Sequence, residues 1–507
     1  MSNEKKETLK NYNENSLEND IENIQPTADQ ILNTATILCQ EEQVELPMLE
    51  ESLKIFGDDY KDPEELALLS YIIPLVVQNP TTPVNQLKLP ENIGRDELLK
   101  SYKWMQSSNM LKTVMMSHYY PGYMMIRYAQ TFFEDLAKDS QYLIDVIEHK
   151  PLTPKRLEVH VTNGTCNYRC TMCLWHVNNQ AKYKENGEIL SKEDWNKVFD
   201  QAAEGGTKVI IFSGGGEPLL RSDFGEVIDY ANQRGLYTMI YTNGSLLEKL
   251  SKNDDKRYKS LLDADWLRVS MHSTDEDTYA DLVHLPRESK PLSKVIRGMK
   301  RLIKDRDMLE KPLKIGIGFV VQHQNFNQVS EMAQLAKELG VDMLNIREDC
   351  IDITQHLSPE EKEILYEQLR TIRENLDKGD YDEMQIDFAD TMITQMNGWE
   401  KSPRVETPSE CRVHLYRSAI DPYGRVATCD LVSEPYFASD NLTLGFISKD
   451  KDYAQVLEES ANKKFKTEDC SNCMPGQQAI NALWNKVLED NKEGIKPEDQ
   501  PLLFSKL

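Results

Sequence analysis

From about residue 151 the chain changes rhythm. Short apolar runs at 157–161, 208–212, 236–241, 266–271, 314–321 and 343–347 alternate with stretches whose apolar residues recur at helical spacing, at 192–203, 224–234, 293–304, 329–339 and 359–376. Ser191 and Ser330 stand near the helix starts, and Gly235 and Gly340 follow helix ends. Strands separated by helices pair in parallel through right-handed crossovers. Six such units, rather than the eight of a closed barrel, predict a partial, TIM-like (β/α)6 barrel of α/β class. Chemistry in such sheets collects at the carboxyl ends of the strands, so the loops there are the ones to read.

The loop after the first strand holds Cys166-Asn167-Tyr168-Arg169-Cys170-Thr171-Met172-Cys173, with C-x3-C-x2-C spacing. Three thiolates are one short of a closed four-ligand site, and reactive metal centres keep one position open. A cubane cluster on Cys166, Cys170 and Cys173 leaves one iron free to bind a small molecule. Zinc with His176 as the fourth ligand is the alternative, and a disulfide framework does not suit a chain without a secretory pattern at its start.

The other strand ends on that face are also informative. The second runs into Ser213-Gly214-Gly215-Gly216-Glu217-Pro218, the third into Thr242-Asn243-Gly244, and the fourth into Ser270-Met271-His272. The fifth contains Gly316 and Gly318, which a strand interior avoids unless something lies against it. The sixth ends in Asn345-Ile346-Arg347-Glu348-Asp349-Cys350, where period-two alternation turns Asn345 and Arg347 to one side. An inward Arg347 needs an anion, such as a cofactor carboxylate or a substrate phosphate. The alternative is a surface pair with Glu348 or Asp349.

A second cysteine group follows. Cys411, Cys429, Cys470 and Cys473 make a closed set of four, enough for a whole 4Fe–4S cluster or a zinc. Residues 416–421 and 425–429 read as a hairpin around the Pro422-Tyr423-Gly424 turn. Cys39 and Cys350 stand outside both groups; Cys39 reads as a buried core thiol and Cys350 is given no role.

C-x3-C-x2-C after a first strand, then Gly-Gly-Glu-Pro after the second, resembles the radical S-adenosylmethionine (radical SAM) enzymes. That resemblance implies a 4Fe–4S cluster on Cys166, Cys170 and Cys173, with S-adenosylmethionine on its open iron. It also implies cofactor contacts from Gly215, Gly216 and Glu217 to the methionyl amine, from Ser270 and Asn243 near the ribose or carboxylate, and from Arg347, with adenine against the fifth strand. The residue before the third cysteine is usually aromatic in that family and is Met172 here, whose thioether can pack against adenine. The spacing of Cys411, Cys429, Cys470 and Cys473 resembles the auxiliary-cluster "twitch" domain that follows some radical SAM cores, which implies a second 4Fe–4S cluster.

The organisation expected is then 1–22 disordered, 23–150 a helical N-terminal domain, 151–380 the radical SAM core and 381–507 an α+β auxiliary-cluster domain. The start is charged and Asn-rich, and residues 23–150 carry four stretches of helical periodicity and no catalytic signature. Against 59 basic residues stand 84 acidic ones, a net charge of −25, which argues against nucleic acid or anionic membrane as partners. No apolar run approaches the roughly 18 residues of a membrane span. Nine cysteines without an export signal suggest a reducing cytoplasm.

The helical N-terminal segment, Phe212-Ser213-Gly214-Gly215 with Glu217-Pro218-Leu219, and Asn345 to Asp349 together look like the radical SAM deaminase of TDP-desosamine biosynthesis. That enzyme lacks the auxiliary cysteines, and in having them the chain is more like the twitch-type aminocyclitol dehydrogenase. These likenesses imply hydrogen abstraction by a 5′-deoxyadenosyl radical from a sugar-like small molecule, for oxidation or deamination in secondary metabolism. They also imply an external electron donor such as flavodoxin or ferredoxin. The second reading is a maturase of ribosomally made peptides, and the third a metal or redox sensor, which has no need of a Gly-Gly-Glu-Pro cofactor cradle.

Overall fold

The computed structural model describes residues 149–173, 188–349, 357–381, 384–388, 408–434 and 437–470, with isolated positions at 142–146 and 473–488. All of them fall in one compact unit, Met125–Pro497. The expected N-terminal helices before residue 142, with Cys39, and also His176 and Cys350, lie outside the described residues.

The strands of the barrel are β1 (Arg156–Val159), β2 (Val209–Phe212), β3 (Tyr237–Thr242), β4 (Trp266–Ser270), β5 (Lys314–Val321), β6 (Met343–Glu348) and β7 (Gln385–Phe388). Neighbours pair in parallel throughout. Between them run α1 (Lys192–Glu204), α2 (Phe224–Gln233), α3 (Leu247–Lys252), α4 (Lys256–Leu262), α5 (Glu276–Leu282), α6 (Pro291–Met308), α7 (Val329–Leu339) and α8 (Pro359–Asp377). The fold is the partial α/β barrel that the alternation predicts.

Local chemistry sets the element ends. Ser191 caps α1 in a capping box, accepting from Asp194 N at 3.2 Å while Asp194 accepts from Ser191 N at 3.1 Å. Gly340 ends α7 with φ of 74°, where a side chain would be strained. Ser330 is not a cap: α7 starts at Val329, and the Ser330 amide donates to Gln368 Oε1 of α8 at 3.1 Å. The short helices α3, α4 and α5 escape sequence periodicity because each falls below the length over which a repeat can be counted, and β7 is a strand that the sequence did not announce.

Alternation along each strand divides the sheet into two faces. Leu157 and Val159, Ile210 and Phe212, Leu267 and Val269, Ile315, Ile317 and Phe319, and Leu344 and Ile346 face the helices and are fully buried. There Phe212 makes edge contacts with Phe199 of α1 at 6.0 Å and Phe224 of α2 at 5.3 Å. The inner face carries Glu158, His160, Arg268, Ser270, Asn345 and Arg347 around Gly316 and Gly318.

The C-terminal segment adds β8 (Glu410–Cys411), β9 (Arg417–Ile420), β10 (Arg425–Ala427), α9 (Asp430–Ser433), β11 (Thr443–Phe446), α10 (Tyr453–Ser460) and β12 (Phe465–Lys466). β9 and β10 form the hairpin expected around Gly424, where Asp421 Oδ1 accepts from Tyr423 N at 2.9 Å and Arg425 N at 3.0 Å. The hairpin does not stand apart. β9 pairs in parallel with β1, giving the ten-stranded order β11–β10–β9–β1–β2–β3–β4–β5–β6–β7 among the described residues.

Candidate functional site

The three-cysteine loop leaves the carboxyl end of the inner face and is fastened on two sides. Arg169 N and Thr171 N donate to Val283 O and Leu282 O, at 3.1 and 2.9 Å, at the end of α5. Tyr168, the loop's buried aromatic, packs edge-on to Tyr279 of α5 with centroids 6.4 Å apart. On the other side Asn243, at the end of β3, donates from Nδ2 to Asn167 Oδ1 at 3.0 Å and to Cys166 Sγ at 3.7 Å. The Tyr168 amide donates to the same sulfur at 3.4 Å. Two donors on one sulfur favour its thiolate, as ligand sulfurs require.

Cys166, Cys170 and Cys173 are half-buried thiols close enough to act on one another electrostatically. Burial, then the neighbouring sulfurs, drives the Cys170 thiol far above its ordinary range. Burial also raises Cys166, against the donors from Tyr168 and Asn243. Such a trio ionises together only around a cation, which is the chemistry of a ligand set.

The glycine loop is built against the cysteine loop. Gly214, Gly215 and Gly216 have φ of 62°, 66° and 119°. A Cβ at each would sit 2.3 Å from His160 Nε2, Thr162 O and Thr165 O respectively. Gly164 N and Thr162 Oγ1 both donate to Gly215 O, at 2.5 and 2.6 Å, and Glu217 N donates to Thr165 O at 2.9 Å. The glycines therefore answer first to the backbone of the cysteine loop. Glu217 is buried. It accepts from Thr242 Oγ1 at 2.7 Å, Asn243 N at 2.7 Å and Leu219 N at 3.1 Å, tying β2 to β3. Burial pushes its carboxyl up to about 7, against those three donors.

Of the residues singled out in the sequence, Gly215, Gly216, Glu217 and Asn243 gather at the cysteine loop. Ser270 stands at the end of β4, half-buried, with its carbonyl accepting from Tyr279 OH at 3.3 Å. Arg347 lies exposed at the end of β6. Asp349, which with Glu348 was the alternative surface partner, accepts from Gln322 Nε2 at 3.1 Å, and no carboxylate among the described residues pairs with Arg347. The β5 glycines receive protein rather than open space: a Cβ at Gly316 would be 3.3 Å from the Trp266 ring, and one at Gly318 3.0 Å from Arg268 Cδ.

The second cysteine set is assembled by three staples. β8 pairs with β12, bringing Cys411 opposite Phe465, five residues before Cys470. Gln477, just beyond Cys473, donates to Asp430 Oδ1 at 2.6 Å, next to the buried Cys429. Asn481 accepts from Arg412 N at 2.6 Å, and Asn485 donates to Glu410 O at 3.1 Å, on either side of Cys411. The Cys411 sulfur feels Cys470, Cys429 feels Cys411 and Cys473, and Cys473 feels Cys411 and Cys470. Burial raises the Cys411 thiol to about 11 and Cys429 and Cys473 further. Among the described residues no three Cys, His, Asp or Glu side chains draw close enough to hold one metal ion. A group of three thiols and a group of four are the donor type that an iron–sulfur cluster takes.

Sequence reasoning missed what joins the two sets. On the inner face of β1 the buried Glu158 accepts from Ser213 Oγ, beside the glycine loop, and from Arg417 of β9. Arg417 also donates to Asp430 at 3.1 Å, the residue after Cys429. His160 lies beneath Gly214, 3.7 Å from Glu158 and 3.3 Å from Ser433 Oγ. Burial opposes ionisation of Glu158, yet the Arg417 guanidinium beside it holds the carboxyl down to about 2. The signal was present: Glu158, His160 and Thr162 alternate with Leu157, Val159 and Val161, a polar face on a strand whose interior position leaves no room for water.

Residues 161–336 match the Radical SAM superfamily. Among solved structures, the chain is similar to Streptococcus suis SuiB bound to S-adenosylmethionine, at 16% identity and TM-score 0.46 over 85% of this chain and 82% of that one. It is also similar to native anSMEcpe with bound AdoMet, at 18% and 0.43 over 66% and 96%, and to archaeal TYW1, at 15% and 0.25 over 36% and 58%. No curated protein matches the chain. At those identities and TM-scores the assignment rests on the sequence match, which begins at Val161 on the cysteine loop's own approach and ends within α7: residues 161–336 are a radical SAM superfamily domain, the domain of enzymes that pair a 4Fe–4S cluster with S-adenosylmethionine.

Proposed function

We propose that this radical SAM enzyme takes a hydrogen from a carbinol or amine carbon of a sugar-like small molecule, an aminosugar, nucleotide sugar or aminocyclitol, and oxidises or deaminates it. The observation that carries the reading is the presence of two thiol sets in one compact unit, three cysteines after β1 and four drawn from β8, the end of β10 and the segment after β12. A second cluster serves a net redox change, in which an electron must leave the substrate; a pure isomerisation has no use for it.

In this reading Cys166, Cys170 and Cys173 hold the cluster that binds S-adenosylmethionine, and Cys411, Cys429, Cys470 and Cys473 hold the auxiliary one. When bound, the first cluster and S-adenosylmethionine supply the 5′-deoxyadenosyl radical. Asn243 and the Tyr168 amide orient Cys166 through their hydrogen bonds to its sulfur. Gly215, Gly216 and Glu217 fix the loop that faces the methionyl group, and Ser270 stands where the ribose or carboxylate would lie. The electron comes from an external donor of the flavodoxin or ferredoxin class.

The test is anaerobic reconstitution, followed by turnover with reductant and S-adenosylmethionine. The wild type should form 5′-deoxyadenosine and Cys170→Ala should not. Product from nucleotide-linked 4-aminosugars or aminocyclitols supports the substrate class, whereas product from a precursor peptide alone would replace it with peptide maturation. A protein that reconstitutes yet never cleaves S-adenosylmethionine would remove the enzymatic reading.

A further inference from the structure

Two helices near the cysteine loop carry charge of the opposite sign to the chain as a whole. In a chain of net charge −25, α3 and α6 together hold eight basic side chains and three acidic ones. Lys294, Arg297, Arg301 and Lys304 recur three or four residues apart along α6, which sets them in one row. With Lys300 and with Lys249 and Lys252 of α3, they are all exposed. The two helices meet closely: a Cβ at Gly298 of α6 would lie 2.7 Å from Leu247 Cβ of α3. Across that seam Glu248 accepts from Lys252 Nζ at 2.7 Å and pairs with Arg297 Nη2 at 3.0 Å. Asp305 is buried, accepting from Arg301 Nε at 2.6 Å and from Tyr258 OH of α4 at 2.9 Å.

Those pairs occupy the carboxylates of the seam and leave a surplus of cations. No carboxylate among the described residues pairs with Lys249, Lys294, Lys300 or Lys304. From Lys294 to Lys304 the row runs about 15 Å along α6, far longer than one small anion and suited to the acidic face of a protein. The same helices are tied to the cysteine loop. Asn167, next to Cys166, donates from Nδ2 to Ser245 Oγ at 2.8 Å, just before α3. At the start of α5, Glu276 accepts from Leu292 N at 2.8 Å and Ser293 N at 3.0 Å, the first turn of α6, while the far end of α5 holds the loop through Leu282 O and Val283 O. The loop thus reaches α3 through one hydrogen bond and α6 through α5.

We propose that the exposed face of α3 and α6 is where the external electron donor docks, and that this donor is a flavodoxin, a small acidic protein. This rests on the radical SAM reading with an external donor and adds the place where the electron enters. Charge complementarity selects the partner. A compact acidic protein can touch this patch alone, whereas a long polyanion such as nucleic acid would also meet the negative remainder of the chain. Exposed lysines raise the rate of encounter and fix orientation more than they tighten binding, which suits a donor that must leave after each electron. In the step itself one electron passes from the flavin hydroquinone, oxidised to the semiquinone, to the 4Fe–4S cluster of the first cysteine set, reduced by one; no bond forms or breaks.

The experiment mixes the reconstituted enzyme with a flavodoxin hydroquinone under anaerobic conditions and follows flavin oxidation by absorbance. With the wild type the second-order rate constant should fall steeply as salt is raised. Lys294→Glu with Lys300→Glu should lower it tenfold or more at low salt and flatten its salt dependence. Lys449→Glu with Lys464→Glu, at two exposed lysines of the C-terminal segment, changes the net charge equally and should leave the rate within twofold of the wild type. Reduction by dithionite, which needs no docking, should agree within twofold among all three proteins. Four results overturn the proposal: the flavodoxin does not reduce the wild type, the Lys294/Lys300 variant reacts as the wild type does, both double variants slow equally, or dithionite shares the loss, which would lay it on the cluster. Flavin oxidation is read without S-adenosylmethionine, so this outcome stays separate from the 5′-deoxyadenosine test of the reaction itself.

Discussion

Gly216 shows how a motif read as a ligand cradle is first a piece of packing. Its φ of 119° is closed to side chains, and a Cβ would lie 2.3 Å from Thr165 O in the cysteine loop. Gly216→Ala must therefore both strain the backbone and push the cysteine loop away. Left-handed strain costs about 1–2 kcal/mol and overpacking about 1–3 kcal/mol, which together predict a loss of roughly 2–5 kcal/mol. Denaturant melts of the metal-free chain should show it, and reconstituted protein should hold less iron at the first cluster because its cysteines no longer stand where Asn243 and Tyr168 meet them. A variant with wild-type stability would mean that the loop relaxes at no cost. The sequence made Gly215 and Gly216 visible as a motif but not their neighbour: nothing in the order of residues says that the atoms beneath them are Thr162 O and Thr165 O. Glu217 was visible in the same way, yet its carboxylate turns inward to β3 rather than outward, because three donors at the ends of β2 and β3 need an acceptor.

Among the elements, the alternation of runs from 157 to 347 was enough to write down six strands and most of their helices, since each helix of ten or more residues buries one stripe and each strand one face. The parallel pairing of β9 with β1 was not legible, because register between segments some 260 residues apart leaves no local periodicity. The polar alternation of Glu158 and His160 was its only trace. Arg417 makes this junction, standing between Glu158 and Asp430 with almost no exposure. Arg417→Met would leave the buried carboxylate of Glu158, and the half-buried one of Asp430, without their cation, a change that costs about 3–5 kcal/mol. Its pH dependence has a definite sign. Glu158 is held at about 2, below its unfolded value, so its contribution to stability is present above that unfolded value, near pH 4.5, and is lost as pH falls toward 2. The Arg417→Met penalty should thus be full at pH 7 and shrink below about pH 5, where an unpaired Glu158 takes up a proton instead. Equal penalties at pH 7 and pH 4 would show that the carboxylate is not what Arg417 serves.

For the whole molecule, the question is whether seven cysteines make two centres or one. The two sets reach their places by different routes: the first through contacts from α5, β2 and β3, the second through β8–β12 pairing and through Asp430, Asn481 and Asn485. Because none of these staples is shared, removal of one set should leave the other assembled. Reconstituted wild type should carry about eight irons and eight sulfides per chain, as two four-iron cubanes require. Cys470→Ala with Cys473→Ala should leave about four, with a reduced-state resonance that S-adenosylmethionine still perturbs. Cys166→Ala with Cys170→Ala should also leave about four, with a resonance indifferent to S-adenosylmethionine. The two subtractions are independent only if the Arg417 bridge transmits packing and not ligation. Both pairs of variants losing all iron would make the centres interdependent, and a Cys470/Cys473 variant that keeps all eight irons would show that the C-terminal thiols hold no cluster.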